Sequence, residues 1–186
     1  MKKIGFLGGT FNPIHNGHIE IAKIVADRIS LDTVYLIPAG IPPHKMGDYR
    51  ENAAHRLDMV RLAAEGDKRF KVSDYEIKKE GKSFSYITME HFREFYKDDK
   101  LYFIMGDEAY RDIDTWKNPE RLRAASEIVV VNRQNLPVEG AISITFPPIE
   151  ISSTMIREKI KKGEDVSDFL PEKVLRYIEE NNLYKG

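Results

Sequence analysis

Short apolar runs rich in β-branched and aromatic residues alternate with segments of helical period along this chain, and that alternation leaves few folds open. Strand-like runs lie at about residues 3–7, 33–37, 70–73, 101–105, 127–132 and 141–146. Between them stand helical patterns, beginning with Ile19, Ala22, Val25, Ala26 and Ile29 at three- and four-residue spacing. Further helices are expected at about 53–64, 85–96, 119–125, 153–162 and 171–182, with 107–116 irregular or briefly helical. Parallel strands cannot be joined by a tight hairpin and need a crossover, usually a helix. Repeated strand-helix-strand units therefore predict a Rossmann-like, doubly wound α/β fold: a mainly parallel sheet with helices on both faces. One domain over residues 1–186, the terminal helices included, is the expected organisation. Sheets of this kind hold ligands beyond the carboxyl ends of their strands.

Composition narrows the function. The 29 Lys and Arg are matched by 30 Asp and Glu, so no basic excess argues for nucleic acid. Without cysteine, disulfides and thiolate metal sites are excluded. No apolar stretch is long enough to span a bilayer, and Met1-Lys2-Lys3 leads into too short an apolar run for a signal peptide. A cytoplasmic protein without membrane contact is expected. Apolar positions on the terminal helices serve either the core or a second copy, which leaves a homo-oligomer open.

The first strand runs straight into Gly8-Gly9-Thr10-Phe11-Asn12-Pro13-Ile14-His15-Asn16-Gly17-His18. Paired glycines let a backbone approach phosphate without a Cβ in the way, and a helix N-terminus directly after them offers N–H donors to an anion. His15 and His18, three apart, would share a helix face. Each neutral imidazole offers one N–H, and protonation adds a second donor and a charge. An isolated His-x-Gly-His reads equally as a glycine turn with two solvated histidines. The strand before it and the helical spacing after it favour a nucleotide site.

A second candidate anion site is Ser152-Ser153-Thr154-Met155-Ile156-Arg157, where serines cap a helix and Arg157 adds a fixed charge one turn later. Taken alone it is an ordinary capped helix; beside the histidine loop it becomes the second half of a phosphate clamp. Between Pro38 and Arg50 lies a loop too long for a tight connection, with prolines that stiffen it and His44-Lys45 at its tip. The single tryptophan, Trp116, reads by itself as partly buried packing. No hydroxyl nucleophile with its base and no metal-ligand spacing is present.

The segment Gly8–His18 resembles the HxGH nucleotidyltransferases and, within them, the bacterial nicotinate-nucleotide adenylyltransferases. The resemblance continues through Pro38–Lys45, Thr115-Trp116, Ile151–Arg157 and the ending from Leu170-Pro171 to Leu183-Tyr184, nearly the whole chain. It implies adenylyl transfer from ATP to nicotinate mononucleotide, with nicotinic acid adenine dinucleotide and pyrophosphate as products of a step in NAD biosynthesis. His15, His18 and Arg157 would be catalytic. Gly8, Gly9, Gly106, Arg133 and Ser153 would join them in holding ATP. Thr10, Phe11, Asn12, His44, Lys45, Ser85, Tyr86 and Thr88 would bind the acceptor, and Trp116 would stack on its pyridine ring. Mg²⁺ would arrive with the ATP, held by phosphate oxygens and water. A nucleotide phosphate is already anionic at pH 7, so alignment and charge neutralisation suffice without a general base.

Three segments depart from the family pattern. Asn12 stands where Asp is common. Ser85-Tyr86 continues as Ile87-Thr88-Met89-Glu90 rather than Thr-x-Asp-Thr. After Gly106, Asp107 falls where a small residue is usual and Glu108 where Asp is usual, unless a one-residue deletion restores Asp107. The last two concern the acceptor, so nicotinamide mononucleotide and 4′-phosphopantetheine stay as alternative acceptors. A nucleotide-binding sensor without turnover is the alternative outside this chemistry.

Overall fold

The computed structural model describes residues 1–41, 52–135 and 137–186. The sheet-forming runs become β1 (Lys3–Gly9), β2 (Thr33–Pro38), β3 (Phe70–Val72), β4 (Lys100–Gly106), β5 (Glu127–Asn132) and β6 (Ile142–Thr145). They pair in parallel in the order β3-β2-β1-β4-β5-β6. The chain thus builds outward from β1 to β3, returns to the other side of β1, and builds outward again. Loops leaving the carboxyl ends of β1 and β4 diverge there and open a crevice.

The helices are α1 (Asn16–Ile29), α2 (Ala53–Ala64), α3 (Tyr75–Lys78), α4 (Ser85–Phe95), α5 (Asp107–Arg111), α6 (Pro119–Ala125), α7 (Ser153–Lys161) and α8 (Glu172–Glu180). Adjacent strand residues feed opposite cores. Phe6, Phe103 and Val130 pack under Met89 and Phe92 of α4 and Leu122 of α6. Leu7, Ile104, Val129 and Val131 pack under Ala22 of α1, Val60 of α2, Ile156 of α7 and Val174 and Ile178 of α8. Coverage on both faces is why these strands read as continuous apolar runs rather than as alternating ones. Each fully covered Val or Ile stabilises the fold by ~1.5–3 kcal/mol relative to exposure.

Two expectations change. Helix α1 starts at Asn16 rather than His18, because His15 caps it. Helix α3 and the 3₁₀ turn Ser167–Phe169 were not legible as helix, since single turns show no period. None of the described helices is long and apolar enough to cross a membrane.

Candidate active site

Where β1 ends, the chain turns through residues 10–15 into α1 and closes the turn with the two histidines. His15 is the N-cap; its Nδ1 accepts the Gly17 N–H at 3.1 Å, and His18 Nδ1 accepts the His15 N–H at 3.2 Å. This is a reciprocal capping box made of imidazoles in place of the usual hydroxyl and carboxylate. The rings stack with centroids 3.7 Å apart, and Phe11 meets His18 edge-on at 4.9 Å. With both Nδ1 atoms accepting, the proton of each neutral ring sits on Nε2, an assignment that follows from the hydrogen-bond network.

His15 is buried, and burial first, then the positive charge of Arg133, lowers its pKa to about 4. Of the two states open to this ring, the neutral one therefore holds at pH 7, with Nε2–H as its donor. A side chain at Gly17 would crowd the stack. A Cβ there would lie 3.0 Å from His15 Cε1 and Nδ1 and 3.0 Å from Ile149 Cγ2.

Helix α7 is stitched to the same turn. Ser152 caps it by accepting the Met155 N–H at 3.1 Å, which frees Ser153 to donate to the Pro13 carbonyl at 2.9 Å. Arg157 donates from Nη1 to the Asn12 carbonyl at 2.8 Å and from Nη2 to Thr154 Oγ1 at 3.3 Å. Between turn and helix lies a cleft of about 330 Å³. Thr10, Phe11, Asn12, His15 and His18 line one side, and Ser152, Ser153, Thr154 and Arg157 the other. Arg133 also lines it, together with an apolar patch of Gly17, Ile21, Ile149 and Ile151. Two imidazoles, two guanidinium groups and a capped helix N-terminus with no carboxylate among the lining residues make a site for a polyanion.

The remaining candidates lie elsewhere. Gly8 and Gly9 are the last residues of β1, in register with Ile37 and Pro38 of β2, and Gly106 closes β4. Ser85 opens α4, and Tyr86 lies buried under the Arg121 guanidinium, 4.6 Å from its ring. Thr88 points inward and donates to Glu76 Oε1 at 2.6 Å. Trp116 is half-buried, its ring edge-on to Phe103 at 6.4 Å. Gly8 and Gly9 lead directly into the cleft-lining turn, whereas Gly106, Ser85, Tyr86, Thr88 and Trp116 belong to the β4, α4 and α6 side and are not among the cleft-lining residues. His44 and Lys45 lie outside the described residues.

At the divergent turn after Gly106, Asp107 is buried and Glu108 exposed. Asp107 Oδ2 is buried without a hydrogen-bond partner among the described residues, with Arg111 Nη2 at 3.9 Å.

Sequence reasoning missed Arg56, which is fully buried. It donates from Nη1 to the Thr10 and Ala39 carbonyls at 2.8 and 2.7 Å, from Nη2 to the Gly40 carbonyl at 3.3 Å, and from Nε to Asn52 Oδ1 at 2.9 Å. It thereby fixes the turn after β1 to the end of β2. A signal existed: Arg56 falls on one helical stripe with Met59, Val60 and Ala63, where a surface arginine would not. Gly40 is clamped on its other side. Its N–H donates to Ser83 Oγ at 3.1 Å, and a Cβ would collide with the Glu76 carbonyl oxygen.

A 3-2-1-4-5-6 parallel sheet with a cationic cleft beyond its carboxyl ends, between the turn after β1 and the start of α7, marks a doubly wound α/β protein built to hold a polyanionic ligand such as a nucleotide. Residues 6–159 match the family model described as cytidylyltransferase-like. A relative from Clostridium tetani, named a probable nicotinate-nucleotide adenylyltransferase, is 40% identical over 200 aligned positions covering 100% of both chains. One of the same name from Clostridium novyi is 38% identical, again with 100% of both chains covered. The chain belongs to this cytidylyltransferase-like family and, within it, to the nicotinate-nucleotide adenylyltransferases. The fold is shared more widely. The Plasmodium falciparum nicotinic acid mononucleotide adenylyltransferase complexed with NaAD superposes with a TM-score of 0.81 at 19% identity, covering 99% of this chain and 98% of that one. A putative nicotinate-nucleotide adenylyltransferase from Vibrio parahaemolyticus gives 0.75 at 21%, covering 100% and 96%.

Proposed function

We propose that this single-domain enzyme transfers the adenylyl group of ATP to nicotinate mononucleotide, a step of NAD biosynthesis carried out in the cytoplasm. The observation that carries the reading is the cleft in which two Nε2–H imidazoles face Arg157 and the capped start of α7. An oxygen of the acceptor phosphate attacks the α-phosphorus of ATP. The bond to the bridging oxygen of the β-phosphate breaks, and pyrophosphate leaves with the electron pair.

The attacking phosphate is largely dianionic at pH 7, its second pKa being ~6, so no base has to remove a proton. Negative charge grows on the leaving group, and the donors aimed there stabilise the transition state more than the ground state. His15, His18, Arg157 and the backbone N–H of Ser153 at the start of α7 hold the triphosphate, Arg133 adds charge at the rim, and the strand ends at Gly8, Gly9 and Gly106 lie beneath the nucleotides. The apolar patch of Ile21, Ile149 and Ile151 takes the purine. Mg²⁺ enters as part of the ATP substrate, held by phosphate oxygens and water.

The acceptor lies on the other side of the switch point. Thr10, Phe11 and Asn12 meet its phosphate, Ser85, Tyr86 and Thr88 shape its wall, Trp116 receives the pyridine ring, and His44 and Lys45 supply cations. Asp107, not Glu108, is the carboxylate turned inward there, which supports the one-residue deletion. Neither nucleic acid nor a membrane takes part. The test compares pyrophosphate release from ATP with nicotinate mononucleotide, nicotinamide mononucleotide and 4′-phosphopantetheine. The acid should give the highest kcat/KM; preference for either other acceptor overturns the substrate assignment, and ATP binding without release from any overturns the enzyme.

A further inference from the structure

The ending Leu183-Tyr184 stands out in the sequence and has no part in the chemistry above, yet Tyr184 reaches the catalytic turn. Its hydroxyl lies 2.7 Å from Asn12 Oδ1, 172 residues away along the chain. The same Oδ1 takes Asn52 Nδ2 at 2.9 Å, and Asn52 Oδ1 takes Arg56 Nε at 2.9 Å. The direction of this chain of hydrogen bonds is forced from its inner end. Arg56 can only donate, so Asn52 must present its oxygen to Arg56 and its NH₂ to Asn12. Asn12 must then present Oδ1 to both neighbours, so Tyr184 donates.

Two donors on one oxygen fix the amide of Asn12, whose own carbonyl anchors Arg157 at 2.8 Å. The Tyr184 hydroxyl is half-buried, and the charges of both Arg157 and Arg56 act on it. We propose that Tyr184 is a positioning residue: the C-terminal segment locks Asn12, and through Asn12 the turn and Arg157, in the geometry the transfer step needs. The proposal rests on the adenylyl-transfer reading for its kinetic consequence and on the hydrogen-bond chain alone for its structural one.

The test uses Tyr184→Phe, which keeps the ring and removes only the donor. One hydrogen bond to a positioned group is worth roughly three- to tenfold in a rate. Accordingly kcat should fall by roughly three- to tenfold, with KM for ATP and acceptor within about twofold. Combined with Asn12→Ala, Tyr184→Phe should cost little beyond Asn12→Ala alone, because both act through one contact. Independent multiplication of the two losses, or an unchanged kcat in Tyr184→Phe, overturns the proposal.

A second measurement needs no turnover. Amide hydrogen exchange over residues 8–18 should quicken in Tyr184→Phe while exchange in β5 stays unchanged. Unaltered exchange in that peptide overturns the proposal even for a protein without activity. Failure of the adenylyl-transfer reading shows instead as absence of pyrophosphate release by the natural protein.

Discussion

Lowering the pH from 7 to 5 should destabilise this protein through His15 in particular. The ring titrates near 6.5 in an unfolded chain and at about 4 in the folded one, where burial and Arg133 oppose its charge. A depressed histidine pKa means that the unfolded state binds the proton first. Stability is complete above about pH 6.5 and is lost as pH falls toward 4. At 1.36 kcal/mol per unit, the separation amounts to ~3 kcal/mol when fully developed and about 2 kcal/mol at pH 5. His15→Asn isolates this contribution, because Asn still accepts a hydrogen bond as an N-cap and does not titrate. Urea unfolding of both proteins at pH 7, 6 and 5 gives the comparison. The natural protein should lose ~2 kcal/mol more than the variant between pH 7 and 5. Parallel stability profiles would refute both the neutral assignment of His15 and the capping role of its Nδ1.

Three further substitutions follow, two at the cleft and one at the Gly40 clamp beside α3. His18→Ala should lower kcat by ~10²-fold or more in the pyrophosphate-release assay, the scale for losing an electrostatic donor; near-normal turnover removes His18 from the transfer step. Gly17→Ala places a methyl against the His15 ring and Ile149 at 3.0 Å, so ATP affinity measured by calorimetry should weaken by about tenfold. Since Ala favours helix by ~1 kcal/mol, its urea midpoint should move little, and a large loss of stability with unchanged ATP binding would contradict the packing argument. Gly40→Ala drives a Cβ onto the Glu76 carbonyl oxygen and should cost ~1–3 kcal/mol in urea unfolding; a neutral result would show that α3 can move away.

Why the strands could be read from the sequence is visible at Ile128–Val131. A parallel strand covered on both faces must be apolar at every position, and few other elements look like that. Helix α3 had no such signature. It is one turn long and is held by tertiary contacts of Glu76, whose buried carboxylate is pushed up in pKa by desolvation while Thr88 and Ser83 donate to it.

At the site, the glycine–histidine turn and the Ser–Arg segment were legible because their residue types carry anion chemistry wherever they fold. That they would be sewn together by Ser153 on Pro13 and Arg157 on Asn12 was not, since nothing local encodes a contact across 140 residues. Nor could composition tell that each histidine spends Nδ1 on the backbone and so faces the cleft with Nε2–H. Arg56 was hidden by its type: a guanidinium reads as surface until three carbonyls are seen to surround it.

In the proposed transfer one phosphoanhydride bond of ATP is exchanged for one bond to the acceptor, with the histidine turn and Arg157 as its cradle. Incubation with ATP and nicotinate mononucleotide, followed by product separation, decides whether that exchange takes place. Nicotinic acid adenine dinucleotide and pyrophosphate should appear in equal amounts, with neither ADP nor free AMP accumulating. ATP consumed to ADP or AMP without dinucleotide, or dinucleotide formed without equivalent pyrophosphate, would rule out adenylyl transfer to this acceptor.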